Sequence, residues 1–244
     1  MSTPASEFSE IDQNLDSKDE ELKLKGYNML LEILQNKPDN VEVLWRLARA
    51  SHVLSLVAES KKDTNQKLKY LNEGIEYAQK ALDINPNSAE AHKWFGVCTG
   101  SRGKSLSTKE KIKDGVVFKE HIEKAIELDG SDPELYNLLA RFEFEVSQLS
   151  SMERRVAGWL FSEVPKGTIE NALELFKKTE KLKPEPWKEN KLLIAKCYIA
   201  QKDYSTAVSW LDQALGVPSI SKKDEEFDEE TKKLLNKYES HRKS

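Results

Sequence analysis

The chain is poor in the residues from which catalytic, secreted and nucleic-acid-binding folds are usually built. Its 244 residues include two cysteines, four histidines, ten glycines and eight prolines. Charge of neither sign dominates: 38 Lys and Arg against 42 Asp and Glu leave a net charge of −4. Two cysteines cannot staple a domain of this size, and Cys98 and Cys197 are expected as small buried side chains in a reducing compartment. Without a global basic field, no nucleic-acid partner is expected, and an acidic partner must meet a local patch. No apolar run is long enough to cross a bilayer and no secretory leader is visible, so the expectation is a soluble protein without a transmembrane segment.

The four histidines, at 52, 92, 121 and 241, show no paired ligand spacing, so neither a metal nor a cofactor is expected. No Ser/His/Asp or Cys/His set stands out, so no catalytic residue is named and no enzyme is expected. Gly103-Lys104-Ser105 looks like the end of a phosphate-binding loop. That loop needs a Gly at position 98, which is Cys98, and a preceding strand where this chain has a helix pattern.

What is present is a repeat. A small or apolar residue, another seven positions on, then Pro or Gly five later, occurs as Gly26/Ile33/Pro38, Gly74/Ala81/Pro86, Phe118/Ala125/Gly130 and Ala172/Thr179/Pro184. A fifth instance, Ala207/Ala214, is followed by Pro218. Apolar–small pairs follow the closers at a nearly fixed offset: Leu47-Ala48, Phe95-Gly96, Leu139-Ala140 and Ile194-Ala195. This is the skeleton of the tetratricopeptide repeat, two antiparallel helices A and B, with small residues on B where neighbours approach closely. A generic helical bundle would share the periods but not the offsets. The expected fold is all-α: a tetratricopeptide-repeat-like α-solenoid of about four helix pairs, with extended A–B connections and capping helices at both ends.

Residues 1–17 are polar and acidic and read as a disordered tail. A single repeat domain is expected over 18–240, with an N-terminal capping helix at 18–37 and a C-terminal one at 222–239. A helices are expected to begin near 40, 88, 132 and 188, with B helices near 66–84, 115–129, 168–182 and 204–215. The closers lie 48, 44 and 54 residues apart, against a usual period of about 34. The excess falls between A and B each time, near 58–66, 100–114 and 148–167. The third insertion, from Ser150 to Val164, carries Met152, Val156, Trp159 and Leu160 at helical spacing and reads as a short extra helix. It suits packing against the adjacent repeat, or else contact with a partner or membrane.

In such a fold the A helices line a concave groove. The positions facing it are Trp45, Arg46, Arg49 and His52, then Lys93 and Trp94, then Asn137 and Arg141, then Lys196. The set is basic and aromatic within an acidic chain, suited to an acidic extended peptide. The Trp side chains could instead pack between A helices, and the Arg residues could pair with Glu42, Glu90 or Glu134. A second basic patch runs along the 100–124 insertion: Arg102, Lys104, Lys109, Lys111 and Lys113, continuing to Lys119 and Lys124. Glu110, Asp114, Glu120 and Glu123 dilute it, and charge runs are usually solvated faces.

Several segments carry a family resemblance: Leu44-Trp45-Arg46-Leu47-Ala48-Arg49-Ala50, Phe118-Lys119-Glu120-His121, Ala195-Lys196-Cys197-Tyr198, and Glu170 to Leu182. Together they resemble the regulator of microtubule dynamics family over about residues 20–240, as a short, soluble member. The resemblance implies a tubulin- and microtubule-binding protein, acting in the cytoplasm, on the cytoskeleton and at the spindle and its poles, with a part in chromosome segregation. Two other functions stay open: a phospholipid-binding or lipid-transfer module at organelle contacts, which a membrane-anchored relative suggests, or an adaptor recruiting a mitotic regulator.

Overall fold

The computed structural model describes residues 8–160, 167–183 and 185–242, with only the backbone at Lys104. Among the described residues all regular secondary structure is helical. The chain forms two compact units divided between Asp129 and Gly130, where the sequence reading expects one domain. The division falls at the third repeat closer.

The first unit runs α1 (Ser9–Asp16), α2 (Glu20–Asn36), α3 (Val41–Ser60), α4 (Thr64–Ile84), α5 (Ala89–Ser101) and α6 (Thr108–Leu128), with a 3-10 turn at Gly103–Ser105 before α6. The second runs α7 (Pro133–Ser147), α8 (Ser151–Leu160), α9 (Ile169–Leu182), α10 (Lys188–Ala200), α11 (Tyr204–Leu215) and α12 (Lys222–Tyr238). The A helices α3, α5, α7 and α10 start within a residue or so of their expected positions.

The helices begin where short polar side chains can take orphan backbone donors. Asp19, Asn40, Asp63, Ser88, Asp132, Thr168 and Asp203 each accept a first-turn N–H. Ser107 and Ser221 form full capping boxes with Glu110 and Asp224. The tightest A–B turns share one device. Lys62 and Lys202 sit in the left-handed region, at φ 60° and 64°. In both, the following Asp donates its N–H back to the closing turn of the A helix, Asp63 to Ala58 and Asp203 to Tyr198, and its side chain caps the B helix.

Small residues on the B helices do what the repeat requires. A Cβ at Gly74 would lie 2.6 Å from Cys98 Sγ and 3.2 Å from the Ala48 carbonyl oxygen, so α4 approaches α3 and α5 as closely as backbone allows. Gly26 on α2 has the same role, and its A-side partner is α1: a Cβ there would meet Asn14 and Leu15 at 3.2 Å.

Residues 9–16 therefore form a helix where the sequence reading has a disordered tail. Phe8, Ile11 and Leu15, spaced by three and four, are buried against Leu30, Leu47 and Leu54. That apolar stripe lies among so many acids that average composition conceals it. The part of that expectation covering residues 1–7 lies outside the described residues.

The first A–B insertion is not a loop. Its extra residues lengthen α3 and α4 to 20 and 21 residues. The second becomes the 3-10 turn and the opening turns of α6. The third holds α8, within the expected span; the rest of that expectation, residues 161–164, lies outside the described residues. Only Ala157 of α8 is buried, while Trp159 and Met152 are 85% and 72% exposed. Arg154 holds α8 against α7, donating to the carbonyl oxygens of Val146, Ser147 and Leu149 at 3.1–3.3 Å. In the second unit α12 lays Leu235, with Phe227, Leu234 and Tyr238, on Val208 and Leu211.

Candidate functional site: basic faces and their carboxylates

On α3, Trp45 is part of the core, packed with Leu44, Leu82 and Ala91. The Arg46 guanidinium lies against two rings, 4.0 Å from the Trp45 centroid and 4.2 Å from that of Phe8. Its Nε donates to both oxygens of Asp12 at 3.3 Å, and its Nη1 to Glu42 Oε2 at 2.7 Å. Arg49 donates from Nη1 to Asp12 at 2.9 Å and from Nη2 to Asp16 at 2.5 Å. The structure thus brings Trp45, Arg46 and Arg49 together beside α1. Glu42 is the partner that the sequence anticipates; Asp12 and Asp16 are not. The signal that could have found them is the repeated pair Ile11-Asp12 and Leu15-Asp16, one helical turn apart.

His52, Lys93 and Trp94 make a second group in this unit. The His52 and Trp94 rings are 5.9 Å apart, buried Lys93 places Nζ 5.5 Å from the Trp94 centroid, and Trp94 Nε1 donates to Glu90 at 3.1 Å.

In the second unit the groove candidates are paired as well. Asn137 is buried and donates to Asn190 Oδ1 at 2.9 Å. Asn190 in turn donates to the Phe176 carbonyl oxygen and to Glu180. Arg141 meets Glu189 at 3.2 Å. Lys196 meets Glu230 of α12 at 2.5 Å, and the buried Lys188, which sequence reasoning passed over, is held by Asp228 of α12 and Ser219.

The insertion patch changes composition. Arg102 turns inward: Nε and Nη2 grip both oxygens of Asp114 at 3.0 and 2.8 Å, and Nη1 reaches Asn72 at 3.0 Å. It is a clamp between α6 and α4, not a surface cation. The Lys104 side chain lies outside the described residues. Lys109, Lys111 and Lys113 are exposed and make none of the ion pairs found among the described residues. The nearby acids are engaged elsewhere. Glu110 closes the Ser107 cap, whose hydroxyl and N–H hold its carboxyl below the usual range, and Asp114 belongs to Arg102. Further along α6, Lys119 meets Glu123 at 3.7 Å and Lys124 meets Glu127 at 3.0 Å.

Two other groups have clear chemistry. Cys98 and Cys197 are buried on α5 and α10, and burial pushes both thiols up to about 12. Neither is expected to react with a thiol reagent in the folded chain, and both should titrate after denaturation. His92 and His121 place their Nδ1 atoms 3.1 Å apart, with His92 Nε2 3.1 Å from the Pro86 carbonyl oxygen. This arrangement assigns a proton to His92 Nε2, which donates to Pro86, and one to His121 Nδ1, which donates to His92. His121 also stacks on Phe95, centroids 4.1 Å apart. Burial first, then His92, lowers the His121 pKa to about 4. The unfolded His121 ring takes a proton near 6.5, so its neutral form stabilises the fold fully above that pH, and the stabilisation is lost as pH falls toward 4. Urea melts should show a loss of about 1 kcal/mol between pH 7 and pH 5, allowing for the ring's partial exposure. His121→Phe should flatten that slope.

Among the described residues no three of His, Cys, Asp and Glu gather as a metal site, and no helix is long and apolar enough to cross a membrane. In-phase antiparallel helix pairs, closed by shared turns and offering faces of paired charge, define a helical-repeat protein of the tetratricopeptide type. In fold the chain is similar to a thermophilic TPR protein of Thermus thermophilus, with a TM-score of 0.61 at 13% identity, covering 94% of this chain and 99% of that one. It is also similar to PilF of Pseudomonas aeruginosa, with a TM-score of 0.56 at 14% identity, covering 94% and 87%.

The family profile for regulator of microtubule dynamics protein 1-3 matches residues 8–239, and the chain belongs to that family. It is 38% identical over 214 residues to regulator of microtubule dynamics protein 1 of Caenorhabditis elegans, covering 88% of this chain and 92% of that one. It is 38% identical over 212 residues to regulator of microtubule dynamics protein 3 of Xenopus laevis, covering 87% of this chain but only 45% of the frog protein. To regulator of microtubule dynamics protein 1 of Mus musculus it is 33% identical, covering 86% and 68%.

Proposed function

We propose that this chain is a non-enzymatic repeat protein that binds microtubules through the acidic tails of tubulin, in the cytoplasm and at the spindle. Family membership supports a microtubule-related partner. The observation that carries the contact is the trio Lys109, Lys111 and Lys113, exposed near the start of α6 while Glu110 and Asp114 are committed to the Ser107 cap and to Arg102. Acidic tails suit such cations, because binding breaks no ion pair of these lysines found among the described residues. The basic residues of the A helices start from the opposite condition, since Arg46, Arg49, Arg141 and Lys196 already hold carboxylates. They enter the contact only by exchange.

Anisotropy titration of a labelled glutamate-rich tubulin-tail peptide tests the reading. Binding should be measurable at low salt and fall steeply between ~50 and ~300 mM salt, as exposed charges are screened. Absent binding, or binding indifferent to salt, would refute it.

A further inference from the structure

We propose that α1 is an intramolecular occupant of a docking surface for an acidic segment, and that the first unit admits its partner by exchanging Asp12 and Asp16 for the partner's carboxylates. The proposal rests on the tail-binding reading above and adds its regulation.

The geometry is that of a bound acidic peptide. Two carboxylates one turn apart on α1 meet two guanidinium groups at neighbouring turns of α3, at 2.5–3.3 Å. Phe8, immediately before α1, stacks on Arg46. Asp12 serves both arginines, so removing α1 leaves Arg49 without its carboxylates and Arg46 with Glu42 alone, side by side next to Trp45.

α1 is also weakly built as a helix. It has eight residues and no side-chain N-cap bond, short of the length at which an isolated helix persists. Its last turn carries Asp16 and no base, the wrong sign for a helix C-terminus. The link Ser17–Asp19 ends in the residue that caps α2, so α2 keeps its own start whether or not α1 is docked. What holds α1 is the burial of Phe8, Ile11 and Leu15 together with the two arginines, with an exposed pair from Lys25 of α2 to Glu10 besides. An incoming acidic segment competes for the second of these holds, and the resting chain is expected to show only part of its affinity.

The experiment uses the full chain and the same tail peptide. Asp12→Asn with Asp16→Asn should raise affinity about threefold or more, and adding Arg49→Gln should cancel the gain. In the parent chain, hydrogen exchange of residues 9–16 should accelerate when peptide is added. An unchanged affinity, a gain that survives Arg49→Gln, or undiminished protection of 9–16 would each overturn the proposal while leaving tail binding at the lysines of α6 in place. Absence of peptide binding in the parent chain would overturn the tail reading itself, and this proposal with it.

Discussion

Reversing Lys109, Lys111 and Lys113 together to Glu is expected to lower microtubule affinity by about 2 kcal/mol, roughly 30-fold, at low salt. Circular dichroism and the melting temperature should hardly move. The three side chains are exposed and form no ion pair among the described residues, so no such contact is lost. They also occupy the opening turns of α6, where the macrodipole favours acids over bases. Stability is therefore expected to stay level or rise slightly while binding falls. The contrast is Arg102, which the sequence groups with these lysines. Arg102→Glu would set a second carboxylate against Asp114 and release Asn72, so a binding loss in that variant reports a damaged fold. Co-sedimentation beside a thermal melt separates the two cases. Full binding by the folded triple variant would remove these lysines from the site.

Truncating Phe176 to Ala should cost about 3–5 kcal/mol, the largest stability effect expected here. Phe176 is fully buried on α9, in the cluster formed with Ala140, Leu173, Ile194 and Cys197. Its backbone carbonyl accepts from Asn190, the residue that also ties Asn137 and Glu180 into the second unit. The cavity and the loosened carbonyl act at the same point. Denaturant melts followed by tryptophan fluorescence would measure the loss, and a change below about 1 kcal/mol would mean that the site collapses without leaving a cavity.

Much of the architecture is legible in the sequence because its signals are local. Closers and small residues place the A helices, since each acts within one or two turns of itself; Asn40, Ser88 and Asp132 cap three of those starts in the structure. What escapes depends on separation along the chain. Arg46 and Arg49 look available until Asp12 and Asp16, more than thirty residues earlier, are folded onto them. Lys196 looks available until Glu230 of α12 arrives. The basic groove candidates lie on A helices, while their charge balance is a tertiary property. Arg102 is misplaced for a related reason: Asp114 reads as a diluting surface acid, and its burial follows only from the way α6 packs in the first unit.

The excess residues between A and B read as connections because the repeat template has fixed helix lengths. Nothing in the sequence stops α3 at the usual length, so it continues to Ser60. The short helix α1 escapes because its apolar residues are only two, Ile11 and Leu15, set among acids with Phe8 just before them. Gly26 is the missed clue, since a B helix needs a small residue there only if an A helix packs on it.

The proposed contact is between exposed lysines of this repeat protein and the acidic tails of tubulin. It is tested most directly by co-sedimentation of the purified chain with stabilised microtubules, intact and with their acidic tails removed by limited proteolysis. Pelleting is expected with intact microtubules, and most of it should be lost once the tails are gone. Equal pelleting with both would contradict it and place the contact on the microtubule lattice.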